Sequence, residues 1–316
     1  MSDKSNIEWT DATWTIVQGC DPVSQGCVGC YAVPLLWRLM HNPNQKISAA
    51  LQGVIEKHIN LAGENILRFT GKIALRHDRL DWPLEWKTPR MIFVPSHGDL
   101  FHKDVPDEFI DKVFDVMERA NWHIYQVLTK RAKRQREYVN RRYADRPASS
   151  HIWFGVSTED QPNADERIPE LLQTKAAVRF ISAEPLIGPI DLSVIHGPNT
   201  PKVGHPLIDI GVMKLIERLD WVIVGGESGP SARPFNIEWA DNLIAQCSAA
   251  DVPCFVKQLG SMPMSDGYPL EFHDRKGGDE TEWPNRLNIR QFPQVAVSGL
   301  PVPIMKDQNR KLSVSN

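Results

Sequence analysis

Met91-Ile92-Phe93-Val94-Pro95 is an uninterrupted apolar run, and segment 104–120 follows it with Phe109, Ile110, Val113, Phe114 and Met117 at helical spacing. His123-Ile124-Tyr125-Gln126-Val127-Leu128 is then a second such run. A strand without polar alternation suits a parallel sheet buried on both faces, and strand–helix–strand order implies a right-handed crossover. Asp104 reads as the N-cap of the intervening helix, ahead of Val105 and Pro106. The rhythm continues outward in both directions. Runs at 72–76, 152–156, 178–181, 220–224 and 253–256 read as strands, and 46–61, 163–174 and 236–249 as helices.

With a first strand expected before Cys20, these runs number eight. The expectation is an α/β fold, a (β/α)8 or partial TIM-type barrel of parallel strands with an N-terminal three-cysteine loop at 19–31. Residues 1–260 form the barrel in this reading, 261–295 a C-terminal extension packed on it, and 296–316 a disordered tail. Segment 190–219 reads as an inserted loop ahead of a helix at 211–219.

The 316 residues carry 36 Lys and Arg against 39 Asp and Glu, a net charge of −3, with 41% hydrophobic and 24% charged residues. That composition is globular, and the bulk charge argues for neither nucleic acid nor membrane. No apolar run approaches a membrane span, and Met1-Ser2-Asp3-Lys4 leads into polar sequence, so the chain reads as cytoplasmic.

In parallel α/β folds the site lies at the carboxyl ends of the strands. Those ends carry Arg76 and His77, then Ser96, His97 and Asp99, then Thr129, Lys130 and Arg131. Ser157 and Glu159 follow, then Ser182 and Glu184, the turn Gly225-Gly226-Glu227-Ser228, and Lys257 with Gln258. So many successive polar ends predict a polar cavity. Among the five cysteines, Cys20, Cys27 and Cys30 form C-x6-C-x2-C. Three thiolates suit zinc completed by a histidine, or an iron–sulfur cluster with one iron free of protein ligands. Cys247 and Cys254 read as buried structural thiols.

Asn6-Ile7-Glu8-Trp9-Thr10-Asp11-Ala12-Thr13-Trp14, followed by the three cysteines and Tyr31-Ala32, resembles the phage Gp37/Gp68-like family, DUF5131. Phe93-Val94-Pro95-Ser96-His97-Gly98-Asp99-Leu100-Phe101-His102, Gln126-Val127-Leu128-Thr129-Lys130-Arg131 and Phe180-Ile181-Ser182-Ala183-Glu184-Pro185-Leu186 extend the likeness, as do 221–234 and Phe255-Val256-Lys257-Gln258-Leu259-Gly260. The three-cysteine loop and barrel pattern in turn resemble radical S-adenosylmethionine enzymes. That resemblance implies a [4Fe-4S] cluster on Cys20, Cys27 and Cys30, with S-adenosylmethionine chelated by the open iron and cleaved by an electron from a donor partner. Gly225, Gly226, Glu227, Ser228 and Glu184 would contact the cofactor. Lys257, Lys130 and Asp99 would act as catalytic residues on an unspecified substrate, with a nucleotide or nucleic acid among the candidates. The first cysteine gap is six residues where radical enzymes usually have three, and Gly29 stands where an aromatic residue is usual.

Residues 130–146 hold eight Lys and Arg against Glu137 and Asp145, a local +6 interleaved with Tyr138 and Tyr143. The segment is a candidate nucleic-acid surface or a solvated outer helix. The competing function is a zinc-stabilised barrel that binds nucleic acid or hydrolyses a phosphoester, with His97, Asp99 and His102 as its nearest approach to a ligand set.

Overall fold

The computed structural model describes residues 5–60, 63–195 and 219–294. The chain opens with β1 (Ala12–Thr13) and β2 (Val17–Gly19), passes through the cysteine loop into α1 (Ala32–Met40) and the single turn α2 (Gln45–Ser48), and reaches the hairpin of β3 (Ile55–Ile59) and β4 (Asn65–Phe69). After β5 (Ala74–Leu75) and the short α3 (Trp82–Glu85) come β6 (Met91–Val94), β7 (His97–Gly98), α4 (Asp107–Arg119), β8 (Ile124–Thr129), α5 (Ala132–Arg142), β9 (Ile152–Ser157), α6 (Gln161–Leu172) and β10 (Arg179–Ala183). β11 (Trp221–Gly225), β12 (Phe235–Asn236), α7 (Ile237–Ala249), β13 (Cys254–Gln258), β14 (Pro263–Ser265) and β15 (Tyr268–Pro269) complete the described elements.

Seven parallel strands form the central sheet in the order β1-β6-β8-β9-β10-β11-β13. The sheet is a curled, open half-barrel, which corrects the expectation of a closed (β/α)8 barrel. The missing strand is the run at 72–76. Only Ala74–Leu75 of it is extended, and it pairs antiparallel with β2 in a separate sheet of order β5-β2-β7. Lys72 and Arg76 bracket three apolar residues there, and Arg76 turns its guanidinium to Gln18 at 2.9 Å and Asp78 at 2.7 Å. Such a segment cannot be buried on both faces.

The curl is visible in the aromatic contacts. Trp9 precedes β1, five strand spacings from β11, which in a flat sheet is roughly 24 Å. The rings of Trp9 and Trp221 nevertheless meet edge to face at 6.2 Å. Alternation along each strand sends Phe93, Trp153, Phe180, Trp221 and Phe255 to this concave side, where Trp9 and Phe292 join them. The opposite pleat, including Ile92, Val127, Phe154, Val222 and Val256, packs against the helices. A third, smaller core ties α1 to β3 and β4 through Val33, Leu36, Ile55 and Phe69, with Cys20 and Cys30 at its margin.

Helix α4 begins at Asp107 because Pro106, extended at φ −64°, ψ 144°, occupies the cap position in place of Asp104. Asp107 and Glu108 then face the positive end of the helix dipole. The helix expected over 46–61 is limited to α2 and a 3-10 turn, Ala49–Leu51. Gly53, at φ +77°, reverses the chain into β3. The helix expected at 211–219, all but Leu219 of it, and the tail 296–316 lie outside the described residues. Beside β13, the Val256 N–H donates to Ile289 O at 2.8 Å and the Gln291 N–H to Cys254 O at 2.9 Å, which covers that sheet edge. Cys247 and Cys254 are both buried.

Candidate functional site

The cysteine loop lies across the carboxyl ends of the strands and is fastened there by three carboxylates. Asp99, just after β7, accepts at Oδ1 from the Thr129 hydroxyl at 2.7 Å and the Phe101 N–H at 2.9 Å. Its Oδ2 accepts from the Lys130 N–H at 3.1 Å and Arg131 Nη1 at 2.8 Å. Four donors saturate this carboxylate. Arg131 continues into the loop, reaching Asp21 and the Cys20 sulfur, the latter at 3.5 Å. Asp21 also meets His102 Nε2 at 2.8 Å.

Glu159, after β9, is completely enclosed and pairs with Arg167 at 2.8 Å and with Lys130, while the Ser24 hydroxyl donates to it at 3.0 Å. Gly26 rests directly on this side chain, and any Cβ there would overlap the Glu159 carboxyl group. Glu227, after β11, receives Arg233 Nε and Nη2, each at 2.8 Å, and the Arg233 N–H at 3.0 Å. Arg233 Nη1 donates to Gln25 O at 2.8 Å, and a Cβ at Gly29 would overlap Glu227 Oε1. Glycine at position 29 is therefore a matter of loop seating, which accounts for the absence of an aromatic residue.

These settings separate the three thiols. Burial and the Asp99 charge push Cys20 up to about 12 against the pull of Arg131. For Cys27, burial is outweighed by the Lys130 charge and by hydrogen bonds from the Val23 and Ser24 backbone, and its thiol is lowered; the Ser24 hydroxyl lies 3.7 Å away. Burial raises Cys30. Among the described residues, no group of three or more His, Cys, Asp or Glu side chains is arranged to hold a metal ion. This overturns the reading of Cys20, Cys27 and Cys30 as ligands of a [4Fe-4S] cluster or of zinc. The radical reaction on iron-bound S-adenosylmethionine and its electron donor fall with it. The alternative zinc-stabilised barrel fails on the same ground: His97 turns to Gln18 at 3.4 Å, His102 to Asp21, and Asp99 to its four donors.

The profile of a family described as "Protein of unknown function (DUF5131)" matches residues 4–299. The chain belongs to the DUF5131 family. No curated protein and no solved structure matches it.

Of the site residues expected in this DUF5131 protein, Glu184, Lys257 and Gly225 come together on the concave mouth. Lys257 Nζ pairs with Glu184, and Gly225 lies against the Glu184 side chain. Gly226 serves a close backbone approach, since a Cβ there would lie 2.7 Å from Leu259 O. Glu227 is held by Arg233, and Ser228 is exposed on the turn. Lys130, lowered to about 8 by burial, pairs with Glu159 and sets its charge near Cys27.

The concave side also carries buried polar atoms without a hydrogen-bond partner: Trp9 Nε1, Gln126 Oε1 and Glu8 Oε2. Gln126 Nε2 donates to the Trp9 backbone O at 3.1 Å, so the two residues are neighbours. Burial raises Glu8 against the Lys257 charge, and Glu184 adds to the rise. Tyr31, whose hydroxyl donates to Ser96 O at 2.5 Å, reaches over the same mouth. Sequence reasoning missed Glu8, Gln126, Arg167 and Arg233. Arg167 had a detectable signal, a charged residue on the apolar face of α6 beside Ala164, Ile168 and Leu171.

The basic segment is largely paired. Arg134 and Arg141 meet Asp107 at 2.9 and 2.5 Å, Arg142 meets Asp111, Asp115 and Glu118 at 3.4, 2.7 and 3.2 Å, and Arg146 meets Glu118 at 2.6 Å. The acidic partners recur along one face of α4. Among the described residues, no helix is long and apolar enough to cross a membrane.

Proposed function

We propose that this protein binds a small polar ligand carrying a protonated amine in the mouth of the half-barrel, between the Glu184–Lys257 pair and the concave sheet face. The observation that carries the reading is the set of partnerless buried atoms on Glu8, Trp9 and Gln126. A buried polar atom left unpaired costs about 1–3 kcal/mol, so a cluster of them marks a place for a bound group. Trp9 Nε1 asks for an acceptor and Gln126 Oε1 for a donor. Glu8 and Glu184 set two carboxylates beside the Lys257 ammonium, Arg290 acts on Glu8 more weakly while paired with Glu280, and an amine on the ligand adds the further positive charge. Lys257 then orients the ligand, and Lys130 and Asp99 hold the loop over it. In this reading residues 1–260 carry the site and 261–295 close the β13 edge, consistent with Ile289 and Phe292 beside that strand. Nucleic acid along 130–146 has less to support it, because the arginines there face acidic partners on α4.

Calorimetric titration with free amino acids and their decarboxylated amines tests the proposal. At least one amine is expected to bind, with Glu184→Gln weakening it about tenfold or more. Absence of binding across the panel, together with a gain in stability for unliganded Gln126→Leu, would show a mere packing defect and defeat the reading.

A further inference from the structure

The strand-end ligand site leaves the thiols of the cysteine loop unused, and two of them bracket one tight turn. The Cys30 N–H donates to Cys27 O at 3.4 Å, closing the turn Cys27-Val28-Gly29-Cys30 with Val28 in the right-handed helical region at φ −63°, ψ −46°. The ends of such a four-residue turn lie within about 7 Å, the span a disulfide bridges. Both thiols are free and partly exposed. Gly26 and Gly29, fitted onto Glu159 and Glu227, hold the turn in place.

A cavity of about 530 Å³ opens on the outer flank of the loop. Val23 and Lys130 line it, and both are neighbours of the Cys27 thiol. In its wall Lys103, Lys130, Arg131, Lys133, Arg134 and Arg141 outnumber Asp107, Glu137 and Glu166, and Asp107 is already paired with Arg134 and Arg141. A small molecule with carboxylates is drawn to such a wall and delivered beside Cys27.

We infer that Cys27 and Cys30 form a dithiol–disulfide pair that exchanges with a small anionic disulfide bound in this cavity. The Cys27 thiolate, its proton released to solvent, attacks one sulfur of the small disulfide. A mixed disulfide forms and the first small thiol leaves as its thiolate. Cys30 then loses its proton and attacks the Cys27 sulfur, so that the protein disulfide forms and the second small thiol leaves. Two protein thiols are oxidised, the small disulfide is reduced to two thiols, and the released protons return to the leaving thiolates. The lowered Cys27 thiol suits the attacking role and the raised Cys30 thiol the later resolving one. Cys20, held by Arg131, stays reduced.

The test incubates the full chain with glutathione disulfide, quenches by alkylation and maps disulfides by mass spectrometry. Wild type is expected to lose two hydrogens, join Cys27 to Cys30 and release two glutathione molecules per chain. Cys30→Ser is expected to trap one glutathione on Cys27, and Cys27→Ser to trap none, with circular dichroism confirming that both variants fold. Cystamine, a cationic disulfide, is expected to react about tenfold more slowly at low salt, with the gap closing as salt rises. A folded Cys30→Ser variant without an adduct on Cys27, a wild-type disulfide involving Cys20, or equal rates for the two disulfides at low salt would overturn the inference. The outcome is independent of amine binding in the mouth.

Discussion

Helix α5 and the seat of the cysteine loop are both dense in charge, and they use it differently. On α5 the arginines reach across the surface to Asp107, Asp111, Asp115 and Glu118, whose side chains remain largely in water except for Glu118. Under the loop, Glu159 is 0% exposed and Arg167 1% exposed, and Lys130 completes the cluster. Surface pairs are weakened by solvent and salt, whereas an enclosed pair leaves a stranded charge when either member is lost. Charge density along a sequence therefore says little about function until the partners and their access to water are known.

The comparison makes graded predictions. Glu159→Ala leaves Arg167 and Lys130 unmatched in the interior, and a loss of about 3–5 kcal/mol is expected by urea denaturation. A loss below about 1 kcal/mol would put the seat in the same class as the surface ladder. Gly26→Ala keeps every charge but drives a methyl into the Glu159 carboxyl group, for an expected cost of about 1–3 kcal/mol in the same assay. A neutral result would mean that the loop slides freely on its support.

The smallest effect is expected at Arg142→Met, about 1 kcal/mol or less, fading further in about 1 M salt. Its pH dependence carries a sign. Burial opposes ionisation of Glu118, but bonds from Arg142, Arg146 and Tyr143 prevail and lower its pKa from 4.5. A depressed carboxylate stabilises above its unfolded value and loses that contribution as acid protonates it in the fold. The gap between wild type and Arg142→Met should therefore shrink as pH falls below 4.5, measured by urea midpoints at successive pH values. A gap that persists in acid would assign the effect to the Arg142 guanidinium stacked over the Phe114 ring instead.

Much of the sheet was legible because its strands are apolar on both pleats. The run at 91–95 supplies β6 over Met91–Val94, and the other central strands lie within a few residues of their expected positions. Closure was not legible. Whether Ala74–Leu75 joins the barrel depends on where Arg76 finds its partners, Gln18 and Asp78, and a linear pattern does not hold that information. For the site, the polar strand ends included Glu184 and Lys257, which the fold brings together as an ion pair. The cysteine spacing misled, because a pattern of thiols specifies an interval along the chain and not the convergence of sulfurs. Glu8 and Gln126 gave no signal, since what sets them apart is a buried oxygen without a hydrogen-bond partner.

An open sheet frees the width of its hollow from the arithmetic of strands. In a closed barrel the bore follows from strand number and stagger, so widening it requires rebuilding the sheet. Here rings meet across the hollow where Trp9 touches Trp221, and Phe292 packs on Phe255 at the β13 side. The gauge of the hollow is thus a side-chain property, open to adjustment one residue at a time while the strands stay as they are.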